Sequence, residues 1–261
     1  MYDLPEMRLA TDTLWMSLAT NMHRAGLKNV PIELQHDQPV RDLWNDPDLF
    51  VSQCCGYDVI DRYKDLLQPV ATPEFSAFGC RDENYCSVIV VTKDCRFNDV
   101  RDMAGARAVI NGPESHSGMS TLRHLVAPRH SNGRFFSEVL TSGSHVASLD
   151  LLRAGKAEVA AIDSVTLTLL RQSRKGVFAG LKILGTSYRA PAPPYVVKAS
   201  MPDGDVDKIR QAFSETFADP ALADCRAELR LSGISLSRQE DYWVHEAFKD
   251  HAQRQGFPTL Q

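Results

Sequence analysis

Arg107-Ala108-Val109-Ile110-Asn111-Gly112-Pro113-Glu114-Ser115-His116-Ser117-Gly118-Met119-Ser120 packs three elements into one stretch. The apolar run after Arg107 is strand-sized and ends on Asn-Gly-Pro, which are turn residues. Gly112–Ser117 then forms a polar loop, and a helix is predicted from there to about Ala127. A strand that feeds a helix through a short loop is the repeating unit of α/β chains.

The unit recurs on both sides. Upstream, Tyr85–Thr92 is a strongly apolar, β-branched strand, and Asp99–Met103 is a helical turn. Downstream, strand-like Phe135–Leu140 precedes a helix over Ser144–Ala154. A buried strand, Glu158–Ile162, precedes a helix over Ser164–Arg171, and Leu181–Thr186 is a further strand. This alternation predicts an α/β fold whose sheets are mainly parallel and flanked by helices.

The ends of the chain complete the reading. Asp3 and Glu6 have capping-box spacing with Pro5 in the first turn. Leu14, Trp15, Leu18 and Met22 follow on one helical face, and Gly26 marks the stop. A short strand over Ile32–Gln35, a helix near Pro39–Asn45, a buried strand over Leu49–Gln53, a helix over Asp58–Lys64 and a strand over Leu67–Ala71 come next. Pro191-Ala192-Pro193-Pro194 must be an extended connector, and Tyr195–Lys198 is a strand. Helices then occupy Val206–Phe217, Pro220–Leu229 and Glu240–Gln253. The last quarter has no strand in this reading, so it is expected to pack back on the first lobe. The expected division is residues 1–91 plus 188–261 as a discontinuous lobe I, and 92–187 as a continuous lobe II.

Composition narrows the function. The 261 residues are 43% hydrophobic and 24% charged, with a formal net charge of -4. A mildly acidic chain without a basic run is a poor nucleic-acid binder. Val88–Val91 and Val159–Ile162 are strand-sized, so no membrane insertion is expected. Met1–Glu6 has neither the basic nor the apolar region of a secretory leader. The chain as given therefore reads as cytoplasmic, or as periplasmic if the true start lies upstream. The six cysteines, Cys54, Cys55, Cys80, Cys86, Cys95 and Cys225, show no C-x-x-C and no neighbouring His pair. Free thiols and no metal are expected, with a metal site or a Cys55–Cys80 disulfide as alternatives. No G-x-S-x-G, H-E-x-x-H or G-x-G-x-x-G is present, so neither a catalytic set nor a cofactor is predicted.

Four segments can carry chemistry. At Ser115-His116-Ser117-Gly118-Met119-Ser120 hydroxyls join the free amides of a helix start, which suits an anion. The plainer reading is that one serine only caps the helix. The absence of Lys after Gly118 excludes a Walker loop. Thr141-Ser142-Gly143-Ser144-His145 repeats the pattern, with His145 as either a ligand contact or a structural residue. Asp163 ends a buried strand, where it can cap the next helix or face a ligand. Gln53-Cys54-Cys55-Gly56-Tyr57 makes a similar turn in the other lobe, with Tyr57 as a ligand cover or a wall residue; Cys55 and Tyr85 are lesser candidates.

In order and interval, Ser115-His116-Ser117-Gly118, Ser142-Gly143-Ser144-His145 with Ala147-Ser148, and Gly155-Lys156-Ala157-Glu158-Val159-Ala160-Ala161-Ile162-Asp163 resemble one family. It is the phosphate/phosphite/phosphonate-binding family of ABC-transporter substrate-binding proteins. The resemblance implies a two-lobed type II periplasmic-binding-protein fold with a ligand cleft between lobes. It implies a small oxyanion ligand held at Ser115, Ser117, Gly118, His145 and Asp163, more loosely at Tyr57, and an ABC permease as partner. The chain departs from the family in lacking a leader and a leading strand before the first helix. Two functions follow. One is a binding protein for a phosphonate- or phosphate-like anion, acting in uptake or in intracellular sensing by lobe closure. The other is a cytoplasmic enzyme on the same fold acting on a small organic acid or phosphorylated metabolite, with His145, Asp163 and Cys55 as its reactive groups. Binding is the favoured reading, since no catalytic spacing stands out.

Overall fold

The computed structural model describes residues 1–261. Its strands are β1 (Ser52–Gln53), β2 (Leu67–Phe75), β3 (Asn84–Tyr85), β4 (Ser87–Thr92), β5 (Arg107–Ile110), β6 (Glu138–Thr141), β7 (Val159–Asp163), β8 (Leu181–Thr186), β9 (Ala190–Pro191), β10 (Tyr195–Lys198) and β11 (Leu231–Leu236). The helices are α1 (Arg8–Arg24), α2 (Val40–Asn45), α3 (Gly56–Ile60), α4 (Thr121–Val126), α5 (His145–Arg153), α6 (Ser164–Ser173), α7 (Asp203–Ala218), α8 (Ala223–Glu228) and α9 (Val244–Arg254). No helix is long and apolar enough to cross a membrane. All six cysteines are unbonded thiols.

The chain divides into two compact units. One comprises Met1–Ser76, Arg81–Asn84 and Pro191–Tyr242; the other comprises Ala77–Cys80, Tyr85–Ala190 and Trp243–Gln261. These boundaries differ from the expected 1–91 plus 188–261 and 92–187. Strand β4 lies in the second unit, because both of its neighbours, β7 and β8, are there. The last helix also belongs to the second unit, where Ala252 and Phe257 enter the core.

In the first unit the sheet order is β1-β10-β2-β11, and every pairing is antiparallel. Helices α1 and α7 bring Trp15, Leu18, Met22, Ile209 and Phe213 against Val70 and Val197 of the sheet. Trp44, Val59, Tyr63 and Tyr242 pack against Leu67 and Val196. Each such side chain contributes roughly 1.5–3 kcal/mol when fully buried.

Several local expectations change in this unit. Helix α1 is entered through a 3-10 turn at Pro5–Met7 with Leu4 at its cap and no side-chain cap. Asp3 is engaged elsewhere, 2.7 Å from Nδ1 of His36. The strand expected at Ile32–Gln35 is absent; Ile32 is 85% exposed, and without a partner strand its backbone has no ladder to join. Of Leu49–Gln53 only β1 is strand. In the other direction, β11 appears where only helix was expected. Its partner is β2, with a register shift between Leu231 and Gly233. The extra bulged residue breaks the period-two alternation that would mark a strand in sequence.

In the second unit the order is β6-β5-β7-β4-β8. Strand β5 runs parallel to β6 and β7, whereas β4 is antiparallel to both β7 and β8. The sheets are thus mixed or antiparallel rather than mainly parallel. Strands β4 and β7 are buried almost throughout. A strand covered on both faces reads as continuously apolar in either direction, so its hydrophobic pattern leaves pairing direction open. Ile89, Val91, Ala108, Ile110, Val159 and Ala161 form the sheet side of the core, and Leu122, Val126, Phe135 and Phe136 cover it.

Candidate functional site

The central segment turns from β5 into its helix through Asn111–Ser115. The helix does not begin as a regular α-helix. His116–Ser120 is a π-turn, with Ser115 C=O accepting the N–H of Met119 at 3.1 Å and of Ser120 at 3.0 Å. Single π-turns within helices recur at functional sites. Ser115 is the cap, and its Oγ accepts the Gly118 N–H at 3.1 Å. The Ser117 carbonyl accepts two hydroxyls, from Ser87 and from Thr121, each at 2.8 Å. Gly118 is required here by space. A Cβ would overlap Asn111 Oδ1 and stand 3.0 Å from Asn111 Cγ and 3.2 Å from its backbone nitrogen.

The second turn, from β6 into α5, arrives at the same place. Ser144 caps α5 by accepting the Ala147 N–H at 3.1 Å, and Ser142 Oγ lies 2.7 Å from Ser148 Oγ. His145, first in α5, places Nε2 2.9 Å from Ser117 Oγ, while Ser115 Oγ lies 3.4 Å from Ser117 Oγ. Two hydroxyls, one imidazole and two helix starts therefore converge within one unit. The helix starts supply partial positive charge.

His145 is half-buried, and its Nδ1 is sealed from solvent without a partner. Burial lowers its pKa to about 4, so the ring is neutral near pH 7. Nδ1 is left without a partner in either tautomer, which costs roughly 1–3 kcal/mol. With its proton on Nε2 the ring donates to Ser117 Oγ and leaves the Ser117 O–H to donate elsewhere; with its proton on Nδ1 it accepts the Ser117 O–H.

The other sequence candidates fall in different surroundings. His116 is 1% exposed, with Nδ1 3.1 Å from Nδ1 of His245. Met119 is half-buried against the core of its unit. Tyr85 is buried, its ring centroid 6.2 Å from that of His116. Asp163, 1% exposed at the end of β7, accepts the Thr166 N–H at 2.8 Å and so caps α6. It is also the register partner of Ser87, whose hydroxyl holds the Ser117 carbonyl. Cys55 and Tyr57 lie in the first unit, at the cap and first turn of α3, both buried.

Sequence reasoning missed Ser87, Thr121 and His245. A serine opening an otherwise apolar strand was the available signal for Ser87. Nothing in sequence ties His245 to His116.

A family model described as the periplasmic substrate-binding protein of phosphonate ABC transporters matches residues 50–242. No curated protein matches the chain. Solved structures do. A binding protein component of an ABC phosphonate transporter from Pseudomonas aeruginosa shares 16% identity, with 94% of this chain and 82% of that chain covered at a TM-score of 0.75. PhnD1 from Prochlorococcus marinus, in complex with methylphosphonate, shares 12% identity, with 97% and 95% covered and a TM-score of 0.74. XAC2383 from Xanthomonas citri, bound to chloride ion, shares 12% identity, with 98% and 96% covered and a TM-score of 0.73. At these identities the structures establish the fold, which is the two-lobed type II periplasmic-binding-protein fold. With most of its length matched by the family model, the chain belongs to the family of periplasmic substrate-binding proteins of phosphonate ABC transporters.

Proposed function

We propose that the chain binds a phosphonate- or phosphate-like anion at the Ser115–Gly118 and Ser144–His145 turns, and delivers it to an ABC permease. The observation that carries this reading is the convergence of Ser115, Ser117 and His145. Ser117 Oγ lies 3.4 Å from one and 2.9 Å from the other. The Ser115 and Ser117 hydroxyls and the first amides of the π-turn, at His116 and Ser117, donate to the anion oxygens. Hydrogen bonds to a charged acceptor are roughly twice as strong as neutral ones. His145 orients the Ser117 hydroxyl. Asp163 accepts from a protonated oxygen or a ligand ammonium, and so selects among charge states. Tyr85, buried in the same unit, contributes apolar cover. Binding acts by shifting an equilibrium between lobe arrangements toward the one that holds the ligand better.

The test is thermal unfolding with phosphate, phosphite, methylphosphonate, aminoethylphosphonate, sulfate and simple carboxylates. An anion at a hundred times its dissociation constant stabilises by about 2.7 kcal/mol. A selective shift by one phosphorus oxyanion is expected. A shift by carboxylates alone would overturn the ligand class.

One observation favours a second reading, catalysis by a Ser117 hydroxyl activated by His145, in an enzyme acting on a small phosphorylated or carboxylate metabolite. It is the weaker reading, because activated nucleophiles have a base oriented by a third group and His145 Nδ1 has none. Turnover of a phosphate or carboxylate ester, lost in Ser117→Ala, would reverse this preference.

A further inference from the structure

The anion-facing turn is braced from behind by α9, which the proposed function does not use. His116 Nδ1 and His245 Nδ1 lie 3.1 Å apart in the interior of the second unit, with ring centroids 4.1 Å apart and the planes at 75°. Both side chains are almost fully buried. Phe248, one turn further along α9, packs edge-on against His116 at 5.2 Å and against His124 at 4.6 Å. His251, nearly a turn beyond, meets His124 at 4.5 Å. Two helices from distant parts of the chain are therefore zipped by rings, and His116, at the head of the zip, is the first residue of the π-turn.

We propose that His245 is a positioning residue for anion binding, acting through His116. This rests on the reading that Ser115–Gly118 holds the anion. At 3.1 Å one Nδ1 donates and the other accepts, so the two rings hold complementary tautomers. A π-turn is a rare and locally unfavourable shape, and it must be fixed from outside. Ser87 and Thr121 fix it through the Ser117 carbonyl. His245 fixes the His116 ring, at the first residue of the turn. Without that bond the His116 ring is held by packing against Tyr85 and Phe248 alone, and the spacing of Ser115 and Ser117 loosens.

The test is calorimetric binding of methylphosphonate and inorganic phosphate to the full chain. His245→Phe keeps a ring of similar size and removes the partner nitrogen; His245→Asn restores a group able to hydrogen-bond at a similar reach. Losing one buried hydrogen bond is expected to weaken the tighter anion about tenfold in His245→Phe and to leave His245→Asn within about threefold of the parent. Ser117→Ala serves as the control for the site itself. Unchanged affinity in His245→Phe, with binding lost in Ser117→Ala, would overturn the positioning role and leave the site intact. Unchanged affinity in Ser117→Ala, or no binding of either anion by the parent, would overturn the site and this role with it. If His245→Phe does not fold, nitrogen NMR of the parent decides. One ring should carry its proton on Nδ1, the other on Nε2, and both should shift on saturation with the anion. Identical tautomers, or signals unmoved by the anion, would overturn the proposal.

Discussion

Ser117 is the most heavily used residue of the site. Its carbonyl receives two hydroxyls and its own hydroxyl meets His145. Ser117→Ala should cost roughly 1.5–3 kcal/mol of anion affinity, the worth of a hydrogen bond to a charged group, while the backbone bonds keep the turn folded. Ser115→Ala should cost a similar amount and also lower stability, since Ser115 caps the turn. Calorimetry paired with denaturant titration separates the two effects. Gly118 and Gly233 offer a second contrast. A Cβ at Gly233 meets only the carboxylate end of Glu74, 2.5 Å away, on a long side chain that can swing. A Cβ at Gly118 meets the short, packed Asn111. Gly118→Ala should therefore destabilise by about 1–3 kcal/mol, as overpacking does, and Gly233→Ala by clearly less in the same titration. Asp163→Asn keeps a good cap and should change ligand preference more than stability; a large stability loss with unchanged binding would leave Asp163 a cap alone. The Ser-x-Ser-Gly, Gly-Ser-His and strand-ending Asp signals were readable because each is local. Asn111 against Gly118 and Ser87 beneath Ser117 were not, because both depend on tertiary approach.

The elements themselves were legible where one physical pattern dominated. Leu14, Trp15, Leu18 and Met22 line the buried face of α1, and β8 and β10 fall at their expected residues. Competing partners decided the rest. Asp3 binds His36 in place of capping α1. Strand β11 hides behind its bulge. Ser144 illustrates a residue whose element role is settled by geometry, since its hydroxyl caps α5. Ser144→Ala should cost about 1 kcal/mol of stability, the usual worth of an N-cap, seen as a lower denaturant midpoint. If its hydroxyl also serves the anion, affinity falls too, and Ser144→Asp, a good cap with a negative charge, would restore stability but not affinity.

At the scale of the molecule, the histidines set the response to acid. Burial lowers the pKa of His116 well below its ordinary value, with His245 and His124 adding repulsion. Burial also lowers His124, with His251 assisting, and brings His145 to about 4 and His245 to about 3. These rings stay neutral in the folded chain while the unfolded chain binds protons below about 6.5, so stability falls as pH falls. The window runs from about 6.5 down to about 4 for His145 and lower for His245. His36 acts oppositely. Burial disfavours its charge, but hydrogen bonds to Asp12 and Asp3 outweigh this and raise its pKa. Its contribution is present below about 6.5 and lost as pH rises through the higher folded value. The buried set outnumbers it, so the urea midpoint should drop between about pH 6.5 and about pH 4.5. Replacing His245 by Asn should flatten that drop; an unchanged slope would mean that His245 does not supply it.

The second unit draws its last covering from residues that follow Tyr242. Its sheet is complete at Thr186, yet Ala252 and Phe257 come only after the whole of β10, α7 and β11 has been made. Phe135 and Phe136 donate their N–H groups to Gln261 O, at 2.7 and 3.2 Å. During synthesis at the ribosome this unit stands as an unfinished half with apolar surface uncovered, while the first unit gains every strand it needs. Incomplete intermediates with exposed apolar surface are the aggregation-prone ones. Chains stopped short of residue 243 should therefore be found with chaperones or in inclusion bodies, even though they contain every residue proposed here to touch the anion.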